Sequence, residues 1–284
     1  MMMKIGHKLD KKSTKDVPKS SKPKVAKNPK KRRRKAVPTI SRPALPRSIK
    51  YVIKKVPTHA IRFGVPFNTI FLEEFQKSIG NDVIDLFRAT IFGPYLDIPK
   101  CNFQGQISKC LLLLELEQGN SKVLHIRHAN GVILKFGIKE FAIITGLKCK
   151  GNTKEFEYPE STPCRLFQKY FPGAVKSVSK NHLVQPFLMD NWENNQDALQ
   201  MAILYFLHTF ILAQTGDSSI SVNEFLMVKD GRYQVYPWGQ IAFTKLYRLY
   251  GLSYALNVWT YEFASQLNPE IAVKERNVIP RICN

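Results

Sequence analysis

Between Lys135 and Leu147 the apolar positions change period. Lys135-Phe136 closes a strand, Gly137 breaks it, and Ile138 to Leu147 reads as a short helix with Gly146 near its end. At about 100° per residue, Lys139 and Glu140 share one polar stripe. Ile138, Phe141, Ala142, Ile143, Ile144 and Leu147 cover nearly everything else. A helix that is apolar almost all round is a buried helix. The rest of the folded chain is therefore expected to pack around it.

Upstream, the same periodicity predicts three helices. Asn68 caps one that carries Phe71, Leu72, Phe75 and Ile79, with Gly80 as its stop. Asn81-Asp82 caps the next, with Val83, Ile84, Phe87 and Ile91 on one face, and Gly93-Pro94 ends it. Gln106 to Glu117 forms the third, on a stripe of Ile107, Cys110, Leu111 and Leu114. Lys122 to His128 and Val132 to Phe136 flank Asn130-Gly131, a strong hairpin signal. A two-residue turn there would pair Val132, Leu134 and Phe136 with Ala129, Arg127 and His125. That sets an apolar face against a mixed one, which a bulge or a longer loop would repair. The hairpin is expected; its register is left open.

Downstream, Lys148 to Pro163 is a polar surface connection and Cys164 to Phe171 a short helix. Residues 174–186 have no clean period. Asn194-Asn195 starts the longest helix, Gln196 to Thr215, with Gly216 as its stop and Ile203 to Leu207 apolar on every side. Val222 to Val228 is another helix. Tyr236-Pro237-Trp238-Gly239 opens the next, with Pro237 at the first helical position, and Ser253 to Leu267 is the last. No βαβ alternation supports a parallel sheet. The expected fold is mainly α with a small β-hairpin (α+β): one compact helical domain, residues 58–284, behind a disordered basic arm, residues 1–57.

Charge separates these two parts. Residues 1–55 hold 20 of the 43 Lys and Arg and two of the 22 acids, net +18. That leaves 23 bases and 20 acids in residues 56–284, net +3. A nucleic-acid-binding domain usually carries its basic footprint on the folded surface, so affinity for nucleic acid is expected in the arm, weak and without sequence preference. The arm is rich in Lys, Pro and Ser and too poor in apolar residues to offset the entropy of ordering. Within it, Lys30, Lys31, Arg32, Arg33, Arg34 and Lys35 form an unbroken cation run suited to the acidic groove of a nuclear import receptor. A nuclear location is the expectation that follows.

Candidate chemistry is sparse. The five cysteines have no C-x-x-C pair, and an odd count without a secretory signal argues for reduced thiols. The longest apolar run, Ala198 to Ala213, contains Gln200 and His208 and is shorter than the ~20 residues of a membrane span, so no membrane role is expected. His125 and His128 lie three apart on a strand and point to opposite faces, so they do not ligate one metal ion. His208 sits on an apolar helix and reads as a hydrogen-bonded core histidine. Cys110 lies on a leucine stripe. Neither phosphate-loop motif is present, and no catalytic residue, metal or cofactor is expected.

Five short blocks together resemble one plant protein family. Phe103-Gln104-Gly105-Gln106 precedes Leu111 to Leu116, and Phe136-Gly137-Ile138-Lys139-Glu140-Phe141 runs through Thr145-Gly146-Leu147 to Cys149. Tyr236-Pro237-Trp238-Gly239-Gln240-Ile241-Ala242-Phe243 is similar to the later block, and Ile279-Pro280-Arg281 to the closing segment. The family is a domain of unknown function, number nineteen eighty-five in its naming series. In many relatives it precedes a cysteine protease acting on ubiquitin-like modifiers such as SUMO, in proteins tied to transposable elements. No residues of this chain match that protease's His, Asp and Cys. The resemblance thus implies a non-catalytic nuclear interaction module with an unidentified protein partner, Phe136, Glu140, Phe141, Thr145, Gly146, Leu147, Tyr236, Pro237, Trp238 and Gly239 being structural motif residues. The alternatives are a protease fragment lacking its catalytic domain, and a non-specific nucleic-acid binder.

Overall fold

The computed structural model of the chain describes residues 42–56, 70–98, 105–117, 122–127, 131–189, 192–246 and 254–267. The cation run Lys30 to Lys35, the Asn68 cap, His128 and the segment Ile279-Pro280-Arg281 lie outside the described residues. Residues 38–284 group as one compact unit, mainly α with two small antiparallel sheets.

Its organising element is not the helix at Ile138. It is α7 (Asn195–Phe206), the helix whose residues are buried on nearly every side. The Asn194 side chain accepts the Asp197 N–H at 2.8 Å and so caps its start, as the sequence indicates. Every residue from Asp197 to Leu204, and Phe206, is buried. Helices α1 (Ile70–Ile79) and α2 (Asn81–Arg88) pack on it, joined at Gly80, whose φ of 72° glycine reaches without strain. The Phe206 ring lies 4.9 Å from Phe210, 5.2 Å from Phe87, 5.4 Å from Phe75 and 5.6 Å from Phe92, centroid to centroid. Such aromatic contacts add to an already large area burial.

By contrast, α4 (Ile138–Thr145) is peripheral. It lays Phe141 and Ile144 on α9 (Trp238–Leu246) and α10 (Tyr254–Leu267) and leaves Ile143 47% exposed. A two-turn helix has room for neighbours on one side only, so an all-apolar circumference does not bring all-round burial.

Three helices end earlier than their apolar pattern, α2 at Arg88, short of Ile91. The helix α3 (Gly105–Leu113) stops before Glu115 and Leu116, which pair in extended form with Ile126 and Tyr51. After Phe206, α7 widens into a π turn: the Leu212 N–H donates to Leu207 O at 2.8 Å, and Ala213 follows at φ 44°. Gly216 is therefore not the helix stop. A Cβ there would stand 2.4 Å from Asn181 Oδ1, and the Asn181 N–H donates to the Gly216 carbonyl at 2.9 Å.

The hairpin forms between β1 (Leu124–Arg127) and β2 (Ile133–Phe136). Its register is one residue off the two-residue-turn pairing: Leu124 faces Phe136 and Ile126 faces Leu134. Leu124, Ile126 and Phe136 are buried together, which is the apolar match the tight turn could not make. A second sheet arises in the segment without periodicity. There β3 (Ser177–Ser179) pairs with β4 (Ser219–Ser221), followed respectively by α6 (Lys180–Met189) and α8 (Val222–Lys229). Residues 42–56, assigned to the arm by composition, are fastened to the body: the Val52 N–H donates to Glu115 O at 3.0 Å, and the Glu117 N–H to Lys50 O at 2.7 Å.

Candidate functional site

The two central motif blocks meet in space. Gly137 donates its N–H to the Glu140 carboxylate at 2.7 Å, which satisfies a free donor at the start of α4. Phe136 and Phe141 both pack on Phe243, at 6.2 and 5.4 Å between centroids. Gly146, at φ 71°, ends α4 by donating to Ala142 O at 2.8 Å. The buried Thr145 hydroxyl donates to Phe141 O at 2.7 Å and accepts the Leu147 N–H at 3.3 Å. Leu147 then leads to Lys148, whose carbonyl accepts the Gly239 N–H at 2.9 Å. A Cβ on Gly239 would lie 2.4 Å from Cys149 Sγ, so only glycine lets these strands of chain approach. Trp238 is buried, with its indole N–H on Tyr233 O at 2.9 Å, and Pro237 packs on Gly151. Tyr236 stands half-buried with its ring 4.3 Å from that of Trp238. These residues form a joint between α4 and α9, not an open site.

A second polar group lies where the π turn ends. His208 is fully buried. Its Nδ1 and Gln214 Oε1 lie 2.7 Å apart in a side-chain hydrogen bond. Nε2 has no hydrogen-bond partner and lies 3.4 Å from Glu224 Oε1, a contact that becomes an ion pair only on protonation. Burial holds the imidazole pKa down, against a smaller upward pull from Glu224 and Gln214. The Lys180 ammonium donates to Gln214 O at 2.6 Å, and Glu224 Oε2 accepts the Ser221 N–H at 2.8 Å. The cluster ties the end of α7 to the starts of α6 and α8. His208 is thus the hydrogen-bonded core histidine its sequence context suggests. At the opposite end of α7, the buried Asp197 accepts from Arg165 and, at 3.1 Å, from the Tyr170 hydroxyl, which docks α5 (Arg165–Tyr170) on α7.

The open concavity is elsewhere. Val178 and Ile220 point into the core, so the serines on either side of them turn outward. Ser177, Ser179 and Ser219 floor a cleft of about 850 Å³ with Tyr170, Phe171 and Pro186 among its walls. Bonds from Val222 N to Lys176 O and from Lys180 N to Ser218 O direct those positions of β3 toward β4. The N–H and C=O of Ser177 and Ser179 therefore face the other way, along an edge that no described strand pairs. Exposed His182 and Asp217 stand at the rim, and among the described residues the His182 ring makes no hydrogen bond to a cleft serine. Sequence reading missed this cleft, because its parts come from a segment without periodicity. The doublet Ser-Val-Ser and Ser-Ile-Ser is the signal that was there to find.

Two of the described thiols, Cys149 and Cys164, are poor nucleophiles. Burial pushes Cys149 up to about 11 and raises Cys164 as well, so both stay protonated at neutral pH. Among the described residues no group of three His, Cys, Asp or Glu is arranged to hold a metal ion, and no helix is long and apolar enough to cross a membrane.

Residues 112–248 match the family described as Domain of unknown function (DUF1985). The match takes in both motif blocks of the joint, both sheets and the cleft, and it leaves out α1, α2 and α10. No curated protein and no solved structure matches the chain.

Proposed function

We propose that the chain is a non-catalytic interaction module that works in the nucleus, of a plant family associated with transposable elements and SUMO-type proteases. Its partner is a protein that lays an extended segment along the outer edge of β3. The observation that carries this reading is the unpaired edge at Ser177–Ser179 inside the cleft. An added strand takes affinity from main-chain hydrogen bonds and specificity from alternate side chains. Here those side chains would meet a cleft lined by the serines together with Phe171 and Pro186. The protonated state of Cys149 and Cys164 favours binding over covalent chemistry. Nuclear entry rests on the run Lys30, Lys31, Arg32, Arg33, Arg34 and Lys35.

Selection of a displayed random-peptide library on the full chain tests the edge. It should enrich sequences of alternating apolar and polar residues. Ser177→Pro removes one outward N–H while keeping the bonds to β4, and proline is tolerated on an edge strand. Enriched peptides should lose binding to that variant while its melting point stays near the parent's. Binding that survives the substitution sinks the reading. Nuclear import is tested with a fluorescent fusion too large for passive entry: replacing Lys30 to Lys35 by Ala should abolish nuclear enrichment, and unchanged enrichment excludes that run as the signal.

A further inference from the structure

Among the described residues, four side chains hold polar atoms that are both shut off from water and unpaired: Arg42, His208, Thr209 and Asn257. Gln200 is a different case. It is only 6% exposed, and its side-chain amide makes no hydrogen bond to another residue. Yet that amide is not among the sealed atoms. The opening it keeps is into a pocket of about 420 Å³, which it lines with Arg165 and Leu166 of α5, Asn194 and Gln196 at the start of α7, and Lys229 at the end of α8. Side chains of a helix lean toward its N-terminus, which carries the Gln200 amide toward the first turn of α7. None of these residues lines the cleft at β3.

What this pocket offers is donors. Rotation about its last bond lets Gln200 present its NH2 group. Asn194 has its own NH2 group to give, because its Oδ1 already takes the Asp197 N–H at 2.8 Å. The backbone N–H groups of Asn195 and Gln196 begin α7 and have no intrahelical acceptor. The charged acceptor nearby is spent: Asp197 accepts from Arg165 on one carboxylate oxygen and from the Tyr170 hydroxyl on the other. Arg165 is in turn committed to Asp197 and Glu193. Lys229 is exposed and has no ion pair with a described residue, so one positive charge is left over. The remaining wall is mainly apolar, with Leu166 at its centre.

We propose that this pocket binds a carboxylate carried on a short apolar stem. One uncompensated cation matches one negative charge, which a carboxylate brings and a phosphate monoester at neutral pH exceeds. The carboxylate oxygens accept from the Gln200 amide and from Lys229, and hydrogen bonds to an ionised group are the stronger kind. The start of α7 favours the same sign of charge. The stem lies on Leu166. A free aliphatic acid and the C-terminus of a protein chain present this same chemistry, and the test separates them. The proposal stands or falls apart from the β3 edge, since the two sites share no residue.

The full chain, isotope-labelled at glutamine, is titrated with hexanoate while its side-chain amide signals are followed by NMR. The Gln200 signal is assigned by its loss in Gln200→Met. Hexanoate should shift that signal saturably, and hexanamide, with the same stem and no charge, should bind at least about tenfold more weakly. Saturation transfer to hexanoate reads the variants. Gln200→Met keeps the length of the side chain and removes the amide, and should weaken hexanoate by about tenfold. Lys229→Met, at an exposed position, should weaken it by about threefold. Both variants should melt near the parent. A peptide ending in a leucine carboxylate names the source. Binding tighter than hexanoate, and lost in its amidated twin, supports a protein C-terminus as the ligand; binding no tighter supports a free acid. The proposal is overturned if neither carboxylate moves the Gln200 signal, which leaves the amide to water alone. Hexanamide that binds as well as hexanoate, or full hexanoate affinity in Gln200→Met, overturns it equally.

Discussion

Replacing Gly239 by Ala should loosen the joint between α4 and α9, and the loss should be recoverable at Cys149. The added methyl carbon would stand 2.4 Å from Cys149 Sγ and 3.0 Å from both Leu147 Cβ and Lys148 O. Comfortable carbon contacts are about 3.5–4.0 Å, so the two segments must part by roughly an ångström. Parting them stretches the 2.9 Å bond from the Gly239 N–H to Lys148 O. It also disturbs the packing of Phe141 on Phe243. Overpacking of a tight core contact costs about 1–3 kcal/mol, and because Gly239 lies in the first turn of α9 the Gly→Ala change returns less than the roughly 1 kcal/mol of a helix interior. The net loss should be about 1–2 kcal/mol, or roughly 2–8 °C in melting temperature for a unit of this size. Cys149→Ala removes the nearest clashing atom. In its background Gly239→Ala should cost at least about 0.5 kcal/mol less, a coupling typical of residues in contact. Urea unfolding of the four proteins of this cycle measures the term directly. A Gly239→Ala protein as stable as its parent, or strict additivity with Cys149→Ala, would refute the close approach on which the joint is built.

Other outcomes follow from burial. Phe141→Asp places a carboxylate at a position with no exposed surface, costs several kcal/mol, and should abolish the cooperative melt seen by circular dichroism; a melt near the parent's would show that α4 does not dock. Because burial holds the His208 pKa below its unfolded value near 6.5, its contribution to stability is complete above that pH and is lost as pH falls toward the lowered value. Lys180 and Lys245 deepen this and Glu224 and Gln214 oppose it, so the slope should stay under about 1.4 kcal/mol per pH unit, and His208→Gln should flatten it in urea titrations from neutral to mildly acidic pH. Intact chain should show no isopeptidase turnover on a SUMO-linked substrate; turnover that Cys149→Ser or Cys164→Ser removes would reveal a thiol site.

Much of the architecture was already written in local periodicity. The Asn194 cap, the Gly80 and Gly146 stops, the Asn130-Gly131 hairpin and the sequence of helices each depend on residues within one or two turns of each other, and those are visible in a linear pattern. What the chain could not display locally is which of several apolar surfaces receives a partner. The α4 segment looked the more buried because its circumference is apolar, yet α7 holds the centre, because it is long enough to meet α1, α2, α6 and α8 along its length. The hairpin register was settled by the shared burial of Leu124, Ile126 and Phe136, not by the turn. The second sheet joins Ser177–Ser179 to Ser219–Ser221, and its hydroxyl face exists only once Val178 and Ile220 have sunk into a common core. In the same way, the motif glycine at 239 means nothing until residue 149 is brought against it. Composition could mark residues 42–56 as basic. Only folding the segment over Tyr51 and onto Glu115–Glu117 left an arginine with two donors and no acceptor.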